Sequence, residues 1–356
     1  MPPMEGMQED NNDFSDRANT KDQGGRTNAA ASQRKAFRLT APLPEPMVKG
    51  KLMVIYNRRD TLWGWLSMKQ GFFSEFMSVL GALRYAETHD AAGVFVNFLS
   101  DMYTDGRTDE NWWSYYFAPT MSVSDGVADP PEIHFNNWIY RFGPWAWNRS
   151  WSSVILPSYP PHQPYPINAT EEMRIIADLV SRYIKVNREI EDKVDAFYAS
   201  SMAGEYVIGI HYRGTDKKLL YPYTSPSYRL FEETIDGILR RCKQDRFKVF
   251  IATDEIEFLE WAQARYPRQV ICYDDAPRLS AQDADATRGG THKSHRFSGR
   301  LKGESAVMDC LLLSRCNYLI KNRSSLSDIA LAFNPSLDWT MILGENDPIY
   351  SSEQSP

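Results

Sequence analysis

The chain has 356 residues, 42% of them hydrophobic and 24% charged, with a net charge of −6. That length exceeds one average domain and suits two, and the composition is that of a globular protein with a real core. The negative balance argues against general nucleic-acid binding, which needs a surplus of Lys and Arg. No run approaches the roughly 18 apolar residues of a membrane span. The N-terminus, MPPMEGMQEDNNDF, lacks the basic and apolar regions of a signal peptide. Cys242, Cys272, Cys310 and Cys316 are scattered, form no CxxC pair and suggest no disulfide framework. These features favour a cytoplasmic, reducing compartment. The Golgi or ER lumen is the alternative if an anchor has been removed, and sequons at Asn148, Asn168 and Asn322 are frequent chance matches.

Residues 1–48 are polar and end in Pro42, Pro44 and Pro46, which reads as a disordered tail. Structure is expected from Lys51, where KLMVIYN has the composition of a strand. A helix should follow Gly71-Phe72-Phe73, with Phe76, Val79, Leu80 and Leu83 at helical spacing and Ser74 as N-cap. A glycine before a helix can present N–H groups to an anion, or simply make a turn. Val94–Phe98 is the next strand, which completes a unit of the kind that builds parallel sheets.

Residues 100–167 read as irregular and aromatic, and most of their tryptophans are expected to pack rather than bind. A long helix should run from near Asn168, capped with Glu171, towards Ser200. Strands are then expected over the apolar run from Tyr206 to Ile210 and at 247–255, Gln269–Tyr273, Tyr318–Lys321 and Trp339–Leu343. Between them, helices are expected at Tyr228–Cys242, Phe258–Tyr266, Glu304–Cys316 and Leu326–Phe333. That alternation is a doubly wound domain.

Three strand ends carry polar clusters: His211 to Lys217, Thr253 to Glu255, and Asn322 to Ser325. Ligands of open α/β sheets sit beyond such carboxyl ends. Arg213 offers a rigid fork for phosphate oxygens, Gly214 allows close backbone approach and Thr215 adds a hydroxyl. The alternative is a strand end running into a charged turn. Ser324 and Ser325 stand where strand meets helix. Asp309 interrupts an apolar helix, a costly position unless it has a partner; salt-bridge or capping duty is its plainer explanation.

GIHYRGTDK resembles the HxRxTDK motif of the fucosyltransferase superfamily, the α1,6-fucosyltransferase, nodulation-fucosyltransferase and protein O-fucosyltransferase group. ATDE and KGESAVMDCLLLSRCNYLIKNRSSLSDIAL resemble that group's later motifs in order and spacing, and GFFSEFMSVLGALRYA resembles its N-terminal loop and helix. The resemblance covers about 50–345 and is strong in the second half. It implies an α/β, GT-B-like fold of two Rossmann-like domains facing across a cleft. An acceptor-side domain would span 49–168, a linker helix 169–204 and a nucleotide-sugar domain 205–348, with a tail at 349–356.

It implies an inverting fucosyltransferase that uses GDP-fucose as donor substrate, a glycan or glycoprotein acceptor, and no cofactor or metal. Arg213 would hold the β-phosphate, and His211 and Asp309 would read guanine. Ser324 and Ser325 would hold the diphosphate. Gly214, Thr215, Lys217 and the loop organisers Asp216 and Asp254 would complete the donor site, with Gly71, Phe72 and Phe73 as an anion loop.

Two departures stand out. Some members have a second arginine where this chain has Gly214, and Lys218-Leu219-Leu220-Tyr221 lacks the glutamate proposed as base in the α1,6 enzymes. Glu75 is the substitute considered. A transferase for another GDP-sugar and a catalytically silent glycan- or nucleotide-binding protein are the rival functions. Asp283-Ala284-Asp285 matches a metal-binding DxD but lies in a polar loop. His292-x-x-His295 lacks a third ligand at metal spacing and reads as loop surface or phosphate-facing.

Overall fold

The computed structural model describes residues 49–56, 71–100, 102–107, 109–120, 132–136, 171–215, 218, 225–283, 290–322, 324–342 and 344. Every described residue falls in one compact unit, Leu39–Pro356. The proposed tails, Asn148, Asn168, Asp216, Lys217, 219–221 and the last two residues of the DxD triplet lie outside the described residues.

The N-terminal half carries β1 (Leu52–Tyr56), α1 (Phe72–Thr88), β2 (Gly93–Asn97), a short α2 (Trp113–Tyr116) and β3 (Glu132–Asn136). Its strands form a parallel sheet in the order β2-β1-β3. Two expectations change here. Helix α1 starts at Phe72 with Gly71 as N-cap, so Ser74 lies inside the first turn, its N–H donating to the Gly71 carbonyl at 2.9 Å. The segment expected to be irregular supplies both α2 and the edge strand β3.

The aromatic run forms a packed cluster. Phe72 meets Tyr103 and Tyr116 edge-on with centroids 5.0 Å apart, and Trp113 packs on Phe117 at 4.5 Å. Trp112 and Trp113, the two described tryptophans of this region, are both core residues. Such edge and offset contacts suit ring quadrupoles and bury large apolar area.

The expected linker is two helices, α3 (Glu171–Tyr183) and α4 (Arg188–Ser201). The break has a cause in the backbone. Residues 184–187 leave the helix to pair with the aromatic segment: Ala118 N–H donates to Lys185 O at 2.8 Å and Asn187 N–H to Tyr116 O at 2.9 Å. The Asn187 side-chain amide donates to Ser114 O, also at 2.8 Å. These bonds satisfy groups that the interrupted helix leaves open.

The C-terminal half runs β4 (Tyr206–Tyr212), α5 (Tyr228–Cys242), β5 (Phe247–Thr253), α6 (Ile256–Arg265), β6 (Val270–Ile271), a 3₁₀ turn (Thr291–Lys293), α7 (Gly299–Ser314), β7 (Tyr318–Lys321), α8 (Ser325–Phe333) and β8 (Asp338–Met341). All five strands are parallel, in the order β6-β5-β4-β7-β8. Period-two alternation splits the core. Ile208, Ile210 and Tyr212 face Phe231, Ile235 and Phe258 of α5 and α6, while Val207 and Phe250 join Leu312, Leu319 and Ile329 on the side of α7 and α8. That second cluster continues without a gap into Met53, Phe76 and Ile176 of the other half. This is an α/β organisation of two parallel sheets.

Helix α7 begins five residues earlier than its apolar pattern suggests. Ser298 Oγ accepts from Leu301 N–H at 3.1 Å, a side-chain cap. Gly299 and Gly303 make the first turns possible. A Cβ on Gly299 would overlap the carbonyl of Thr104, and one on Gly303 the Tyr116 hydroxyl. The two glycines let the C-terminal half seat directly on α2 and its preceding loop.

Candidate functional site

The strand order places the site. The chain runs outward from β4 through β5 to β6, then returns to lay β7 on the other side of β4. The reversal lies between β4 and β7, and ligands of such sheets bind in the crevice beyond the carboxyl ends there. Register aligns His211 with Lys321 and Tyr212 with Thr253, so the three polar clusters end level.

Arg213 leaves β4 at this point and is fixed at backbone and side chain. Its N–H donates to Asn322 Oδ1 at 3.0 Å, and Asn322 Nδ2 donates back to its carbonyl at 3.0 Å. Its guanidinium meets Asp254 Oδ2 through Nη1 at 3.0 Å and donates through Nη2 to His292 Nδ1 at 3.1 Å. Asp254 also accepts from Gly214 N–H at 2.9 Å and from the Thr215 hydroxyl at 2.6 Å. The carboxylate thus organises the turn and orients the cation. Because Asn322 is buried with its amide committed, a glycan on that nitrogen is incompatible with this arrangement.

Next to it lies a second acid. Glu255 is 1% exposed and accepts from Lys218 Nζ at 2.6 Å and from the Tyr228 hydroxyl. Lys218 also sits over the rings of Tyr228, at 5.1 Å, and Tyr212, at 5.6 Å. A Cβ on Gly214 would overlap Glu255 Oε2. The departure from the two-arginine pattern therefore has a steric counterpart, since Glu255 fills the space beside Gly214.

Several buried polar atoms have no hydrogen-bond partner among the described residues: His211 Nδ1, Asp309 Oδ1, Arg278 Nε and Ser305 Oγ. Such orphans are rare in folded proteins and mark places completed by water or ligand. Burial, with Arg213 nearby, pushes His211 down to about 3, so it is neutral. Burial pushes Asp309 up to about 7, opposed only by the Arg278 cation. Asp309 also influences Tyr273 and Cys272, which places it by the carboxyl end of β6. Ser305 lies one turn before it on α7.

Ser324 is the N-cap of α8 in extended conformation, and its hydroxyl makes no cap bond. Asp328 in that helix's first turn instead pairs with the buried Lys321. Glu75 is 6% exposed on α1. Burial pushes the Tyr103 hydroxyl up, the charge of Glu75 adds to that and Arg213 opposes it, so one phenol feels both residues and the two halves meet at this point. Phe72 and Phe73 spend their side chains in the aromatic core, and the Phe72 backbone is hydrogen-bonded to the Tyr103 hydroxyl.

Reading the sequence missed Asn322 as a clamp, His292 as a partner of Arg213, and Glu255, Tyr103 and Arg278. Asn322 and Glu255 carried a signal, each adjoining a strand end, and His292 carried one in its spacing to His295. Asp283 receives Arg296 and the Ser280 hydroxyl, the latter at 3.0 Å. Among the described residues no three His, Cys, Asp or Glu are grouped to hold a metal, and no helix is long and apolar enough to cross a membrane.

Residues 174–335 match the model of the family Nodulation protein Z (NodZ). The resemblance to the fucosyltransferase superfamily holds. Nodulation protein Z of Azorhizobium caulinodans is 27% identical over 146 residues, 39% of this chain and 42% of that protein. The chain thus spans about two fifths of that relative's length. A crystal structure of NodZ α1,6-fucosyltransferase soaked with GDP-fucose is 20% identical, with a TM-score of 0.45, covering 81% of this chain and 94% of that one. A structure of POFUT1 in complex with GDP-fucose is 12% identical, with a TM-score of 0.46, covering 84% and 99%.

Proposed function

We propose that this chain transfers fucose from GDP-fucose to a hydroxyl of a glycan or protein, with inversion and without a metal. The observation that carries this reading is Arg213, held by Asp254, His292 and Asn322 at the sheet's switch point. A preorganised guanidinium there neutralises the charge that develops on a departing diphosphate. Orphaned Asp309 and His211 suit a base: a carboxylate accepts from both N1–H and the 2-amino group of guanine, a pair uracil lacks. Ser324, Ser325 and the N-terminus of α8 suit the phosphates.

In the displacement, the acceptor oxygen bonds to fucose C1 as the C1–O bond to GDP breaks. The acceptor proton goes to a carboxylate, for which the buried Glu75 is assigned, because the Tyr103 hydroxyl feels both Glu75 and Arg213. The kinship over 174–335 supports the same reading.

The test is thermal stabilisation by GDP, GDP-fucose, GDP-mannose and UDP in the presence of EDTA. A ligand at a hundred times its Kd stabilises by about 2.7 kcal/mol, a shift of several degrees. A shift with the guanine nucleotides but not UDP is expected. A UDP-selective shift that appears only when a divalent ion replaces the EDTA would falsify the donor assignment. GDP binding without turnover across a wide acceptor panel would instead identify a silent binding protein.

A further inference from the structure

We infer that His292 is a positioning residue for Arg213, its Nδ1 lone pair setting the plane of the guanidinium that grips the donor's diphosphate. The inference rests on the proposed role of Arg213 and adds to it a residue outside the motifs that carry the family resemblance. Three observations support it.

The first is contact geometry. Arg213 presents two edges: Nη1 meets Asp254 Oδ2 at 3.0 Å and Nη2 donates to His292 Nδ1 at 3.1 Å. One anchor leaves a guanidinium free to swing about that bond, whereas two on different nitrogens fix its plane.

The second is that the imidazole is itself held. The Thr291 hydroxyl donates to Asp254 O at 3.4 Å, and Lys302 Nζ donates to the carbonyls of His292 at 3.2 Å and Ser294 at 3.1 Å. The 3₁₀ turn is thereby tied to the end of β5 on one side and to α7 on the other.

The third is protonation. The charged groups around the ring are Arg213, Lys293, Lys302 and Asp254; burial and the three cations outweigh the carboxylate and push His292 down to about 3. The ring is therefore neutral at working pH. An Nδ1 that accepts from arginine carries no proton, so the proton resides on Nε2.

The test compares affinities for guanosine, GMP and GDP in the wild type and in His292→Ala, His292→Asn and His292→Gln, by calorimetric titration. The gain from guanosine to GDP isolates the phosphate contacts from the base contacts. Asparagine places an amide oxygen where Nδ1 stood; glutamine places its amide at the position of Nε2. His292→Ala is expected to lose about tenfold of the GDP gain while guanosine affinity stays constant. His292→Asn is expected to restore most of it and His292→Gln little.

The inference is overturned if the GDP gain survives in His292→Ala, if all three ligands weaken equally, or if glutamine restores what asparagine does not. Should the alanine variant fail to fold, the asparagine and glutamine pair decides the matter alone. A wild type that gains nothing from the phosphates overturns the role of Arg213 as well, whereas intact gain with an indifferent His292 overturns this inference only.

Discussion

At the scale of single residues, Asp309 couples stability to recognition. Its carboxyl is raised from 3.8 to about 7 by burial, so the folded protein holds that proton more tightly than the unfolded chain. A raised acid burdens the fold at high pH: the penalty is absent below the unfolded value, grows between the two and is complete above about 7. Ligand-free Asp309→Asn should therefore melt higher than the wild type at pH 8, by an amount worth up to about 4 kcal/mol. The same variant should lose guanine affinity, because an amide cannot accept two hydrogen bonds from N1–H and the 2-amino group. Wild-type GDP affinity should fall roughly tenfold per pH unit below about 7, and that slope should vanish in Asp309→Asn. Calorimetric titrations between pH 5.5 and 8.5, on the order of five points, check both. Equal slopes in the two proteins would remove Asp309 from the base site.

Gly214 is the second case. Introducing Cβ there overlaps Glu255 Oε2, whose carboxylate is committed to Lys218 and Tyr228. Gly214→Ala is expected to destabilise by about 1–3 kcal/mol through this overlap. Glu255→Ala alone removes the shared acceptor of the half-buried Lys218 and Tyr228. The double variant should cost less than the two single losses added, a coupling of at least about 1 kcal/mol in a denaturation cycle. Strict additivity would mean that the backbone absorbs the new methyl without touching Glu255.

At the scale of elements, α7 repeats the pattern of glycine serving close approach. A glycine to alanine change in an exposed helix gains up to about 1 kcal/mol. At Gly303 the new methyl would overlap the Tyr116 hydroxyl, which donates to Tyr103 O at 2.7 Å and Arg300 O at 3.2 Å. Overpacking of about 1–3 kcal/mol outweighs the propensity gain, so Gly303→Ala should lower the melting temperature. Gly237 on α5 has nothing within 4 Å of its Cβ position, so Gly237→Ala should raise it. Opposite signs in two helices of one molecule test the packing argument directly.

The same helix shows what the sequence could and could not convey. The β-branched apolar run Val207, Ile208, Ile210 announced β4, and the helical spacing of Leu230 to Ile238 announced α5, because a buried segment declares itself by local composition or period. The start of α7 was illegible: Gly299, Arg300 and Gly303 read as loop until Thr104 and Tyr116 pack against them. The break at 184–187 was illegible for a related reason, since it depends on backbone partners about 70 residues away. Likewise Arg213, Asp254 and Asp309 stood out by chemistry at strand ends or in apolar surroundings. Arg278 comes from the loop 274–300 with nothing local to distinguish it, and His292 was marked there only by its spacing to His295.

At the scale of the whole molecule, the decisive feature is that the larger core cluster belongs to both sheets. It runs from Met53 and Phe76 through Ile176 and Val194 to Leu312, Ile329 and Trp339. Helices α7 and α8 therefore cover the C-terminal sheet with one face and would expose another if the N-terminal half unfolded first. Exposing that face would cost about 25 cal/mol for each Å² of apolar surface, so partial unfolding is disfavoured against complete unfolding. We expect a single cooperative transition, with tryptophan fluorescence and far-ultraviolet circular dichroism reporting the same midpoint. GDP, although proposed to bind the C-terminal sheet, should then raise that one midpoint for both signals. Trp112 and Trp113 report the N-terminal aromatic cluster, while Trp261 and Trp339 report the C-terminal half, so substituting either pair by phenylalanine assigns the fluorescence. If GDP moves the C-terminal signal and leaves the N-terminal one in place, the two halves unfold independently. The shared cluster would then be a contact between finished domains rather than a core common to both.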